Sequence, residues 1–377
     1  MRILHLLSNF RWTERAEPAA DLVLGQQGIG LDARLACGKS RAKLEDSIEY
    51  QARQKGLEPV VFEMPKHFRV GATWNDVRAL RSYLIENPAD VLHSHMPNAH
   101  LMAVLVAAHL AKPPLVVHSM YEPNLARRSF RTRWICRPRT DGWILISDQA
   151  RDELEEHYGV PAWRMLVSTP PVDVERFQAK PKTDTRETFD IPPDAFVVGL
   201  VMRMGVNRGV DLFLKALQLL KDECPQMRGL LIGRGEMEAA VHQPAAQLGV
   251  ADRLIIGGYC RWEKLVAAYH AMDVFAYVAP GTDKSCRAVR EALAAGVPVA
   301  AVGVGYLPEL VDEGRTGRLC EPTPEAMAVA LKSLYDDRAA CRKMAKQAEE
   351  QARARFSPTG QATRVAEFYA ALRQSTT

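Results

Sequence analysis

Cysteine is sparse and unpatterned in this 377-residue chain: the seven thiols at 37, 136, 224, 260, 286, 320 and 341 form no CxxC pair and no metal-ligand spacing. That argues against a disulfide scaffold and a zinc site and reads as the reduced complement of a cytoplasmic protein. Long hydrophobic runs are missing as well. The longest, "LMAVLVAAHLA", falls far short of the roughly 18 to 20 residues that span a bilayer, so membrane contact is expected to be peripheral. The start, "MRILHLLSNFRW", has one basic residue and too few apolar ones before Asn9 for a secretion signal, and reads as a first strand. An excess of one charge is also absent. The 49 basic and 45 acidic residues leave a net +4, too little to point to nucleic acid on charge alone. There is no low-complexity segment and no short internal repeat.

What is present is a 47% hydrophobic chain long enough to bury two cores, since single domains run about 100 to 200 residues. Short apolar runs, "MRILHLL", "DARLACG", "PVVFEM", "ADVLHSH", "PLVVHSM" and "GWILIS", alternate with stretches of helical period. That rhythm calls for an α/β fold with a parallel sheet covered by helices. Polar, proline-containing text at 177–195 interrupts it and reads as a linker. The rhythm then restarts with "FVVGLVMRM", "GLLIGRG", "RLIIGGY", "VFAYVA", "VPVAAVG" and "GRLCEP". Two Rossmann-like domains are expected, 1–178 and 179–359, with a last helix over 360–377 joining the first. Open α/β sheets bind ligands at the carboxyl ends of their strands, so the chemistry is expected in a cleft between two such halves.

One stretch concentrates functional residue types: "PGTDKSCRAVREALAAGVPVAAVGVGYLPELV", residues 280–311. Strand, loop and helix follow in order, and such a unit aims the unpaired N–H groups of the helix start at an anion. By itself the junction reads first as an ordinary N-cap at Asp283 or Ser285, with Glu291 a solvated or salt-bridged helix residue. Its context changes the balance. The run resembles the donor-binding segment of glycosyltransferase family 4, retaining GT-B enzymes that use nucleotide sugars, whose E-x7-E motif precedes "A-x-G-x-P-V-x-A". Here Glu291 holds the second position and Asp283 the first, one methylene shorter. "VGLVMRMGVNRGVDLFLKAL" is similar to the family's "G-R-L-x-x-x-K-G", with Arg203 in the arginine position and Arg208 where lysine is usual. "LLIGRGEMEAAV", "LVAAYHAMDVFAY" and "STPPVDVERF" resemble further segments in the family's order.

The resemblance implies two Rossmann-like domains facing across a cleft, the first binding the acceptor and the second the nucleotide sugar. Arg203 and Arg208 would stabilise a diphosphate leaving group, beside the turns at Gly205 and Gly233. Glu291 would hold the ribose hydroxyls, Asp283 a hydroxyl of the donor sugar, and the backbone at Cys286, Arg287 and Ala288 the diphosphate. Cys286 reads as a packing residue rather than a nucleophile. His118 matches the family's histidine near the donor sugar, whereas His93 and His95 read first as structural hydrogen-bonders. No carboxylate pair is placed as in glycosidases. Retention is then attributed to front-face attack, with the departing phosphate taking the acceptor proton. No cofactor and no metal is required.

The loop after the first strand departs from the family. Where many members have a glycine pair, this chain reads "NFRWTERAEPAADL", so Trp12, Glu14, Arg15 and Glu17 present side chains instead. Trp12 and Arg15, with Glu14 and His95, are the acceptor-side candidates. Trp12 reads equally as a sugar-stacking ring or as a cover for the sheet end. Downstream of His118, "ARRSFRTRWICRPRT" carries Arg127, Arg128, Arg131, Arg133, Arg137 and Arg139 with two aromatics. An anionic membrane surface or glycolipid acceptor is the favoured partner for it, against RNA or a solvated helix face. The expected activity is sugar transfer in lipopolysaccharide, polysaccharide or glycolipid assembly. A nucleotide-sugar 2-epimerase of the same architecture and a catalytically silent binding protein are the alternatives.

Overall fold

A computed structural model describes residues 1–13, 15–40, 44–65, 70–122, 139–278 and 286–376. The chain divides into two compact units, Met1–Pro171 with Ser357–Thr377, and Val172–Phe356.

The first unit is built on the strands β1 (Arg2–Leu7), β2 (Asp32–Gly38), β3 (Val60–Phe62), β4 (Val91–Ser94), β5 (Leu115–Met120), β6 (Gly142–Leu145) and β7 (Met165–Val167). They form a parallel seven-stranded sheet in the order β3-β2-β1-β4-β5-β6-β7. β4 and β6 are buried along their whole length, as strands covered on both faces must be. The order reverses between β1 and β4. At such a switch point the crossovers leave to opposite sides, and the carboxyl ends open a crevice for ligand. The apolar tract 101–111 lies largely in the helix Pro97–Ala107, which is buried on nearly all sides and entered through a proline in its first turn. Among the described residues no helix is long and apolar enough to cross a membrane.

The last helix, Pro358–Thr376, packs on the first unit. A methyl group on Gly25, in the helix Ala16–Gly28, would lie 2.7 Å from the carbonyl oxygen of Pro358, and one on Gly142 would lie 2.4 Å from Leu372. Gly25 admits the helix because it lacks a Cβ, which would meet main chain there, whereas at Gly142 the Leu372 and Phe368 side chains would have to shift. Val365 and Leu372 are fully buried there, each contributing about 1.5–3 kcal/mol. The Tyr369 hydroxyl meets His93 Nδ1 at 2.7 Å.

The second unit holds β8 (Phe196–Val201), β9 (Met227–Ile232), β10 (Leu254–Gly258), β11 (Val274–Tyr277), β12 (Val299–Val302) and β13 (Gly317–Cys320). They run in the parallel order β10-β9-β8-β11-β12-β13, with the switch between β8 and β11.

The division of the chain falls at Pro171/Val172 and Phe356/Ser357, within a few residues of the boundaries 178/179 and 359/360 read from the sequence. The polar text at 177–195 is not a bare linker. Phe177, Phe189 and Ile191 are buried in the second unit. Val172 N–H donates to the Phe356 carbonyl, His270 meets the Phe177 carbonyl, and Arg186 pairs with Asp273. The few apolar residues in that text and Arg186 anchor it, while most of its other charged residues face water.

Candidate active site

In the second unit, the segment leaving β8 is held backbone to backbone against the turn leaving β9. Met202 N–H donates to Ile232, Met204 N–H to Arg234, and Glu236 N–H back to Met204. Gly233 and Gly235 make this contact with φ near +150° and +147°, and a Cβ on either would fall within 2.0 Å of a main-chain oxygen. Only glycine fits. The turn thereby fixes the segment bearing Arg203 and Arg208, which lie between β8 and the helix Val210–Leu219. Arg203 is exposed and Arg208 half-buried, with the Arg208 side chain beside Gly205.

Glu291 sits in the helix Arg287–Ala294 and is 4% exposed. Tyr269 O–H donates to its Oε2 at 2.9 Å, and Arg287 Nε–H donates to its Oε1 at 2.6 Å. Burial, then the adjacent carboxylate, pushes the Tyr269 hydroxyl well above its ordinary range, so it stays a donor. A carboxylate has about four acceptor directions, and the side-chain donors of Tyr269 and Arg287 account for two. The sequence reading matched the segment containing Tyr269 without giving it a role. The signal was available in its spacing ahead of "AMDVFAY". Arg290, fully buried in the same helix, was also missed. Cys286 precedes that helix with φ +50° and is 1% exposed, which suits packing. Ala288 follows in the first turn, where helix geometry leaves N–H groups without intrahelical acceptors. Asp283 lies outside the described residues.

In the first unit, His118 on β5 is paired in register with Ser94 on β4. The Ser94 hydroxyl donates to the Val117 carbonyl, so it accepts from His118 Nδ1–H at 2.9 Å. The other ring nitrogen, Nε2, then carries the lone pair. Burial dominates in lowering the His118 pKa to about 3, opposed by the Ser94 backbone and assisted by the charge of Arg15. His118 stacks on His100 at 4.1 Å between centroids.

His95 lies deeper, 1% exposed. With the Gln26 carbonyl as acceptor, His5 Nε2–H donates to it, His95 Nε2–H donates to His5 Nδ1, and the Tyr121 hydroxyl donates to His95 Nδ1. His93 meets Ser119 and Tyr369 through its two ring nitrogens. One nitrogen from each of His5, His93 and His95 lies within 4.8 Å of the others, a spacing that admits a metal ion. All six ring nitrogens of these three residues already have hydrogen-bond partners. The cluster therefore reads as a neutral, self-satisfied network.

The loop after β1 brings Arg15 to this region. Its Nη2 pairs with Glu122 Oε1 at 2.8 Å and its Nη1 approaches Met96 Sδ at 3.9 Å. Glu122 was not among the sequence candidates. Trp12 packs against the core of the unit, which favours the covering role over sugar stacking. Glu14 and the arginines 127, 128, 131, 133 and 137 lie outside the described residues, and Arg139 is exposed.

Two family models match the chain: Glycosyltransferase Family 4 over residues 19–176 and Glycosyl transferases group 1 over 181–351. D-inositol 3-phosphate glycosyltransferase of Corynebacterium urealyticum is 30% identical over 307 residues, 75% of this chain and 72% of that protein. The enzyme of the same name from Streptomyces avermitilis is 31% identical over 247 residues, 62% of this chain. That match spans about half, 53%, of its length. Among solved structures, Anabaena HepE in complex with UDP superimposes with a TM-score of 0.81 at 19% identity, over 98% of this chain and 100% of that one. The lipopolysaccharide outer core galactosyltransferase WaaB gives 0.72 at 12% identity, with each chain fully covered. At these identities the structures establish the fold.

The histidines make stability depend on pH. His5, His93, His95, His100 and His118 are all pushed below the ordinary 6.5, chiefly by burial, His5 to about 4 and His118 to about 3. The unfolded chain binds their protons first, so the stability they support is complete above about pH 6.5 and is lost as pH falls toward their folded values. Urea unfolding at pH 7.5 and 5.5 is expected to show a loss of about 1 kcal/mol for each histidine that stays neutral when folded. Equal midpoints would contradict the neutral network.

Proposed function

Because the chain belongs to the group 1 glycosyltransferases of family 4, we propose that it transfers a sugar, with retention, from a nucleoside-diphosphate sugar to a glycan or glycolipid acceptor in lipopolysaccharide or related polysaccharide assembly. The observation that carries this is Glu291. A carboxylate 96% removed from water and held in place by Tyr269 and Arg287 in the helix that follows β11 suits a ribose diol. UDP is the favoured carrier, since HepE is seen with UDP and with UDP-glucose.

In this reading Arg203 and Arg208 stabilise the departing diphosphate, helped by the N–H groups at Cys286, Arg287 and Ala288, and His118 accepts a hydroxyl of the donor sugar. Asp283 takes a further donor hydroxyl. The departing phosphate removes the acceptor proton, so the protein's contribution is positioning and electrostatic stabilisation of the leaving group. No divalent metal takes part.

Nucleotide release from UDP-, GDP- and ADP-sugars, with and without a crude glycolipid extract and with chelator present, tests the proposal. Release from one donor, increased by extract and reduced about tenfold or more in Glu291→Ala, is expected. Epimerised donor without nucleotide release, or no donor consumed, would contradict it.

The proposal includes a cytoplasmic location, peripheral to the inner face of the cytoplasmic membrane, through the basic segment that ends at Arg139. Wild type is expected to float with anionic liposomes and an Arg-to-Ser variant of that segment to stay behind. Equal partition of the two would remove the membrane from the account.

A further inference from the structure

The loop after β1 has no backbone donors left over in its first part. Asn9 N–H donates to the Leu7 carbonyl, Phe10 and Arg11 N–H both donate to Asn9 Oδ1, and Trp12 N–H donates to the Asp46 carbonyl. The loop is pinned further where Gly38 and Ile48 donate to the carbonyls of Asn9 and Phe10. Over residues 9–12 the main chain therefore offers an anion no free N–H, and a side chain is needed to recognise negative charge there.

Arg15 is that side chain. Nearby Lys55 is committed to Asp21 at 2.7 Å and Glu17 at 3.6 Å. Among the described residues, the one carboxylate that Arg15 meets is Glu122, through a single oxygen, and both side chains keep about a quarter of their surface in water, 24% and 29%. A guanidinium presents five donors in a fixed fork and prefers a bidentate oxyanion. A one-point ion pair that keeps a quarter of its surface in water is worth little, about 1 kcal/mol, so a phosphate can displace Glu122 at small cost.

The second observation is His118, 93% buried, with Nδ1–H committed to Ser94 and no partner at Nε2 among the described residues. The charge of Arg15 reaches this ring. On the transferase reading a donor-sugar hydroxyl donates to Nε2, so an anionic group lying on Arg15 belongs to the other substrate, the acceptor whose hydroxyl is glycosylated.

We propose that Arg15 reads a phosphate on a hydroxylated ring, that this phosphate belongs to the acceptor, and that Glu122 holds the Arg15 position until the acceptor arrives. The assignment rests on the transferase reading, which gives the donor diphosphate to the second unit and leaves this anion to the acceptor. It makes Arg15 a specificity residue at the end of the loop after β1.

The test is calorimetric binding, without turnover, so that its failure is distinct from failure of the transferase reading. Wild type, Arg15→Ala and Glu122→Gln are titrated with myo-inositol 3-phosphate, myo-inositol and UDP, with circular dichroism confirming the fold of each variant. Wild type is expected to bind the phosphate ester about tenfold or more tightly than inositol, Arg15→Ala to bind both alike, and Glu122→Gln to bind the ester more tightly than wild type. UDP affinity is expected to be the same in all three. A phosphate preference that is absent from wild type or survives in Arg15→Ala would overturn the proposal. Loss of UDP affinity in Arg15→Ala would assign Arg15 to the donor and overturn the acceptor assignment.

Discussion

A buried polar group keeps its place only where a fixed partner compensates for lost water, and the candidate site in each unit is built on that constraint. A carboxylate as enclosed as Glu291 would be too costly to hold without donors. Tyr269 and Arg287 supply them, and in doing so they set the direction in which its remaining lone pairs face. In the first unit the same requirement is met with neutral groups. Five histidines are buried near one another, and for His5, His95 and His118 an amide, hydroxyls and another imidazole fix which ring nitrogen carries the proton. The network that satisfies them also decides that His118 offers a lone pair rather than a proton.

The two units share a strand order but solve the strand-end problem differently. The second uses main chain: Gly233 and Gly235 let two segments touch, so the arginines after β8 ride on a rigid base. The first uses side chains. Its post-β1 loop turns its own N–H groups inward and leaves Arg15 to face outward. The helix Pro358–Thr376 returns to this unit and brings Tyr369 to His93, so a residue near the end of the chain helps to hold the histidine network.

Much of this was legible in the sequence because apolar period and glycine placement are local signals. The βαβ rhythm located the strands that the switch points require, and the order of motifs made Glu291, Arg203 and His118 candidates before any contact was known. The short strand β7, three residues at a sheet edge, escaped because its segment carries no apolar run longer than that. The text at 177–195 reads as a linker by composition, since what anchors it is a few buried residues spaced apart, Phe177, Phe189 and Ile191. Pairings across long separations were the other gap. Glu122 lies 107 residues from Arg15, and Tyr369 lies 276 from His93, and no spacing rule connects them. Trp12 was ambiguous because an aromatic residue in a polar loop suits a ligand or a core equally, and only packing separates the two.

The central claim is that the Glu291 carboxylate, aimed by Tyr269 and Arg287, holds the ribose of a nucleotide. Calorimetric titration of wild type and Glu291→Gln with UDP and with 2′,3′-dideoxy-UDP tests it most directly, because the ligands differ only in the hydroxyls assigned to that carboxylate. Wild type is expected to bind UDP about tenfold or more tightly than the dideoxy analogue, the least that hydrogen bonds to a charged group should give. Glu291→Gln is expected to lose most of that preference. Equal affinities in wild type, or a preference that survives in the variant, would place the ribose elsewhere and contradict the account.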